Sequence, residues 1–130
     1  MNKKAIIADG VSQPGSPYSQ AVVAEANRTL HISGQVPVDD DGSLIGKGDI
    51  EAQTRKVFGN IRALCEAAGG SLANIVFLNI YLTDMRFRPV VTDVRNEILR
   101  PPYPSATMVQ IGSLADESWL IEIDAVAALD

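Results

Sequence analysis

The sequence holds one cysteine, Cys65, one histidine, His31, and only 5% aromatic residues. One thiol cannot close an internal disulfide, and one thiol with one imidazole supplies too few ligands for a zinc site. Nor does a lone histidine allow a Ser/His/acid set to be inferred; His31 reads as a polar strand residue or a site residue. Positive charge is also short: the net charge is −5 and the Lys and Arg residues are scattered. No basic stripe exists to neutralise a phosphate backbone, so nucleic acid is not an expected partner. Long apolar runs are missing from the start, where MNKKAIIADG stops being apolar at Ala8. That is too short for a signal-peptide core or a membrane span, and a cytoplasmic location is expected, away from membranes.

What is present is an ordinary globular balance of 46% hydrophobic and 21% charged residues over 130 positions. One domain, residues 1–130, with one core is expected. Lys3 to Ala8 reads as a first strand, followed by turn-rich chain to Pro17. Tyr18 to Ala24 and Thr29 to Ser33 read as two strands whose connection around Asn27 is short enough for a hairpin. The strongest helical signal follows: Asp49 can cap it, Glu51 suits its dipole, and Ile50, Val57, Ile61, Leu64, Cys65 and Ala68 form an apolar stripe. Gly69-Gly70 ends it. Ile75 to Leu82 is a nearly continuous apolar run, as in a strand covered on both faces. A second helix starts near Thr83 or Asp84, is clearest from Pro89 through Val90, Val91, Val94 and Ile98, and stops before Pro101, Pro102 and Pro104. Ala106 to Ile111 and Trp119 to Ala127 read as the last strands. The order β-β-β-α-β-α-β-β suits an α+β fold, an antiparallel-rich sheet with both helices on one face.

Two local motifs fail on spacing. Gly42 to Lys47 has three residues between its glycines where a phosphate loop needs four, and the aspartates before Gly42 lose the alternation of a calcium loop. Cys65, on the helical stripe, reads as packing and not as a nucleophile. Arg86, Arg88, Arg95 and Arg100 lie close in sequence and read as a solvated helix face with its flanks.

Six segments in order nonetheless resemble the RidA/YjgF family of reactive-intermediate deaminases: Gly15-Ser16-Pro17-Tyr18-Ser19-Gln20-Ala21-Val22, Ile32-Ser33-Gly34-Gln35-Val36-Pro37, Asp49 to Arg55, Tyr81-Leu82-Thr83-Asp84-Met85, Pro102-Tyr103-Pro104 and Ile121 to Ala127. The resemblance implies a chorismate-mutase-like fold, a homotrimer whose sheets form a central barrel, and a small-ligand cleft at each subunit interface. It implies hydrolysis of imines and enamines of 2-aminoacrylate-like acids, with no metal or organic cofactor. By position it carries over Glu122 as the catalytic carboxylate, with Tyr18 and Gly34 around the ligand, and Ala106 and Thr107 are further ligand-binding candidates on the strand where the family keeps its arginine.

One family feature is absent. Where the family reads approximately Tyr-Pro-Ala-Arg-Ser-Thr-Val, this chain has Tyr103-Pro104-Ser105-Ala106-Thr107-Met108-Val109, so a methyl group replaces the guanidinium that grips the substrate carboxylate. Thr92 likewise stands where many members have asparagine, with Asn96 one turn later. A guanidinium offers two parallel charge-assisted hydrogen bonds and a methyl offers none. An uncharged pocket, weak activity on 2-iminopropanoate and a substrate without the usual carboxylate are therefore expected, unless Arg88, Arg95 or Arg100 supplies a displaced cation. The alternative is a non-catalytic trimeric sensor or protein-binding module, whose apolar surface Tyr18, Met108 and Trp119 could line. Ribonuclease activity, also linked to the family, gains nothing from the charge distribution.

Overall fold

The computed structural model describes residues 1–130. Its elements are β1 (Asn2–Ile6), β2 (Ala21–Glu25), β3 (Arg28–Gln35), α1 (Ile50–Ala67), β4 (Ile75–Leu82), α2 (Arg88–Ile98), β5 (Ser105–Gln110) and β6 (Ile121–Leu129). The order is the expected one. Strands β3-β6-β4-β5 form a mixed sheet in which only β4 and β5 run parallel, and both helices pack on one face of it in an α+β layering.

Alternation along the strands creates that layering. Leu78, Ile80 and Leu82 of β4 and Ile121, Ile123, Ala125 and Ala127 of β6 point to the helices and are buried. Val57, Phe58, Ile61 and Cys65 of α1 and Val91 and Val94 of α2 meet them in one core cluster. Each large aliphatic side chain buried this way stabilises the fold by about 1.5–3 kcal/mol.

Helix α1 starts where its cap residue says it should, with the Asp49 carboxylate accepting from the Ala52 N–H at 3.1 Å. Beyond it, Gly69 takes a φ of +91°, a conformation that costs a Cβ-bearing residue dearly. Two details of the stripe differ from the sequence pattern. Gln53 is fully buried, donating to Gly46 O and Ser118 O and accepting from Leu120 N, which fastens two loops to the helix. Leu64 is 41% exposed, at the edge of an open surface cavity that it shares with Val38 and Asn60.

The expected hairpin between β2 and β3 does not form. Strand β2 pairs antiparallel with β1 in a separate two-stranded ribbon, and β3 pairs with β6. Tight two-residue hairpin turns need positive φ at their centre, and neither Ala26 nor Asn27 adopts it, since every positive-φ residue is a glycine. Instead Asn27 donates to Leu129 O, continuing the β3–β6 ladder. The ribbon is largely exposed, with Val23 at 52%, and Lys3 anchors it by donating to Ala73 O and Ile75 O. Tyr18, read as part of β2, lies before it in the loop, where Ser19 makes an isolated parallel bridge to Ser105.

Candidate functional site

Glu122 sits on β6 between Ile121 and Ile123, both buried in the core, so its side chain leaves the sheet on the open face. Tyr81 lies opposite it on β4, and Asp124 lies opposite Asn79. The Asp124 carboxylate accepts from Asn79 Nδ2 and from Tyr81 Oη, each at 2.9 Å. That bond, with some burial, raises the Tyr81 pKa above its ordinary value. Glu122 has no hydrogen bond of this kind. Partial desolvation and then the neighbouring Asp124 charge push its pKa above the usual glutamate value.

Gly34 explains itself beside Glu122. It lies at an irregularity in the β3–β6 register, and a Cβ on it would fall 2.7 Å from Glu122 Cδ and closer still to a carboxylate oxygen. Only a residue without a side chain lets the carboxylate rest there. The structure therefore brings two of the expected site residues together. His31 is exposed on β3 opposite Val126, on the same open face but farther along the strand.

Tyr18 and Ala106 lie elsewhere. Ala106 pairs with Leu78 of β4, whose side chain faces the helices, and it packs against the core cluster. It lines a cavity of about 480 Å³ together with Ser16, Tyr18, Thr92 and Met108. Thr107, its neighbour, pairs with Asn79 and points to the open face with Glu122. Sequence adjacency had grouped Ala106 with Thr107, but consecutive strand residues point to opposite sides. Within one chain the sheet separates Tyr18 and Ala106 from Gly34, Thr107 and Glu122.

The cavity beside Ala106 is not uncharged as expected: Arg88 and Arg95 both line it. Arg95 is 3% exposed, so the reading of all four arginines as a solvated face fails at this residue. Its Nη2 donates to Pro17 O at 3.2 Å and its Nε has no partner. Burial first, then the Arg88 charge, lower its pKa, with Tyr18 opposing. It remains a cation at neutral pH. The sequence signal was Arg95's place four residues after Val91 and four before Leu99, both buried, which puts it on the apolar stripe of α2. Arg100 is not at the cavity; it donates to Glu97 O and Leu99 O. Asn96, the expected substitute for a family asparagine, is exposed, whereas Thr92 lines the cavity. Met108 lines it too, but Trp119 does not.

Cys65 is buried and desolvation raises its pKa, so it is held as a thiol within the core. No helix is long and apolar enough to cross a membrane.

The family model described as Endoribonuclease L-PSP matches residues 11–129. A RutC family protein of Pyrococcus horikoshii is 38% identical over 96% of this chain and 97% of its own length. The 3-aminoacrylate deaminase RutC of Acinetobacter baylyi is 34% identical, covering 98% of both chains. Among solved structures, the Rid-family protein YyfB of Yersinia pestis superposes with a TM-score of 0.91 at 29% identity, over 99% of this chain and 100% of that one. RidA from an Antarctic Psychrobacter superposes at 0.73 with 35% identity, over 97% and 99%.

Proposed function

Because the chain belongs to the RidA/YjgF family, we propose that it is a hydrolytic deaminase of a small imine or enamine metabolite, working in the cytoplasm as a homotrimer without metal or organic cofactor. The observation that carries this reading is the Glu122 carboxylate, pressed against Gly34 and held with a raised pKa. A carboxylate poised in this way exchanges protons closer to neutral pH than an ordinary glutamate.

In the reaction, Glu122 accepts a proton from a water as that water adds to the imine carbon. It returns the proton to nitrogen to give a carbinolamine, then takes the hydroxyl proton and passes it to the amine as the C–N bond breaks, so that ammonia leaves and a carbonyl forms. An enamine first takes a proton on carbon and gives one up from nitrogen to become the imine. Metal and redox partners are not required by this balance, in which water is the only co-reactant.

The separation of Tyr18 and Ala106 from Glu122 and Gly34 by the sheet supports a cleft shared between copies. Each copy would contribute a cavity edge on its helix side and a carboxylate on its open face. Ala106 leaves the β5 side of this cleft without a guanidinium, which gives it a different substrate choice from relatives with arginine there.

The test is carbonyl and ammonia release from imines generated in place by an amino-acid oxidase, over a series of side-chain sizes. Glu122→Gln lowers kcat about 100-fold or more on the best substrate. Equal rates in both proteins, with both folded, exclude the carboxylate as the acid/base. Saturable ligand binding with no turnover across the whole series favours a small-molecule sensor instead.

A further inference from the structure

A buried guanidinium without a carboxylate partner is an unfinished electrostatic arrangement. Desolvation penalises the charge, and one backbone carbonyl accepts only one of its five N–H groups. Arg95 is in this condition. Its Nη2 reaches Pro17 O, its Nε donates to nothing, and a second guanidinium, that of Arg88, lines the same cavity and repels it.

The acids of the neighbourhood do not relieve it. Asp84 is bound to Arg86, and Glu97 is bound to Arg55 across the helix pair. Asp93 is exposed on α2. Glu122 and Asp124 are on the other face of the sheet. Arg95 is nevertheless held in place: Val91 and Leu99, one turn before and after it, are buried, and its Nη2 is tied to the loop before Ser19. A fixed, desolvated, half-satisfied fork at the floor of a cavity is a prepared anion seat.

We propose that Arg95, assisted by Arg88, binds the carboxylate of the substrate in the cavity lined by Tyr18, Thr92, Ala106 and Met108, replacing from helix α2 the guanidinium that strand β5 lacks. This inference rests on the deaminase reading for the word substrate, but not for the binding itself. Ala106 then has a positive role: its small side chain leaves open the space into which the fork of Arg95 and an incoming acid both fit. The ligand class is a small 2-imino acid or the 2-oxo acid formed from it. Tyr18 and the apolar Met108 provide a wall for its side chain.

The probe is pyruvate, a 2-oxo acid that needs no turnover, titrated calorimetrically into the intact protein alongside its uncharged amide, pyruvamide. Pyruvate binds at least about tenfold more tightly than pyruvamide, and Arg95→Gln removes that preference, as expected when a charge-assisted fork is lost. Arg88→Gln weakens pyruvate binding less. Arg95→Lys keeps part of the affinity, since it keeps the charge and loses the fork. Equal binding of pyruvate and pyruvamide by the unmodified protein overturns the proposal. That comparison needs no variant, so it decides the matter even if Arg95→Gln fails to fold. Unchanged pyruvate affinity in a folded Arg95→Gln protein overturns it as well. Pyruvate preference lost in Arg95→Gln, combined with no deamination of any imine, upholds the anion seat and rejects the deaminase reading; turnover without charge preference does the reverse.

Discussion

The two faces of the four-stranded sheet are built from the same strands by the same alternation, yet they hold opposite chemistry. Toward the helices, Leu78, Ile80, Leu82, Ile121 and Ile123 are completely buried. Toward the open side, Asn79, Tyr81, Glu122 and Asp124 remain partly accessible; Asn79 and Tyr81 are hydrogen-bonded to Asp124, and the Glu122 carboxylate lies in the space that a side chain on Gly34 would fill. One face gains stability from apolar burial. The other keeps ionisable groups where a water or a ligand can reach them, and its cost in desolvation is visible in the raised pKa of Glu122. The exception is Arg95, a charge carried on the helix side at the edge of the core.

The comparison breaks most sharply at Ile80, which is fully buried among both helices' side chains. Ile80→Ala should destabilise the protein by about 2–5 kcal/mol in denaturant unfolding, the range for emptying a well-packed aliphatic site. A cost below about 1 kcal/mol would mean that the helix face is loosely filled. Gln53→Leu tests the polar side of the same core. It keeps the volume but leaves Leu120 N, Gly46 O and Ser118 O without their partner, for a loss of about 2–3 kcal/mol. Loosening of the 112–120 segment in hydrogen exchange should accompany it.

On the open face, Gly34→Ala should change catalysis more than stability. The added methyl must displace the Glu122 carboxylate, so a fall in kcat of about tenfold is expected with little change in melting temperature. Tyr81→Phe removes one of the two donors to Asp124 and should cost about 1 kcal/mol.

The smallest effect is a dependence on pH. Glu122 has a folded pKa above its unfolded value, so the folded state binds its proton more tightly than the unfolded chain does. Its contribution favours folding at low pH and is lost as pH rises from about the unfolded glutamate value through the raised folded one. Glu122→Gln should therefore flatten this part of the stability profile and leave the protein slightly more stable at pH 7. An unchanged pH profile in that variant would mean that the carboxylate is as well solvated as in the unfolded chain.

Much of the fold could be read before any coordinates. Asp49 and Gly69 bracket α1 because capping and left-handed dihedrals are local requirements, satisfied by the residue itself and its near neighbours. Ile75–Leu82 is recovered as β4 to the residue, but not as a strand covered on both faces: Ile75, Leu78, Ile80 and Leu82 are buried against the helices, while Asn79 and Tyr81 stay partly open on the other side, where no helix of the chain packs. The β2–β3 hairpin was misread because pairing is decided between distant segments. Asn27 is a good turn residue, yet the chain there carries on along β6 and leaves β2 to β1.

The site divides along the same line. Ala106 in the segment after Tyr103-Pro104, and the presence of Tyr18, Gly34 and Glu122, are matters of residue order and were plain in the sequence. Which side of the sheet each one faces follows from strand register, and register depends on the partner strands. Arg95 stood in the sequence as one of four neighbouring arginines, and nothing in the covalent chain told it from Arg86 or Arg100. Its distinction comes from the packing of α2 against the core and from the loop at Pro17 closing over it, so that it loses water and gains only one bond. Sequence thus determined the elements and the family, because these are properties of neighbours along the chain. Only the tertiary structure decided which charges are desolvated and which side chains share a cavity, because desolvation is produced by atoms that are far away in sequence and close in space.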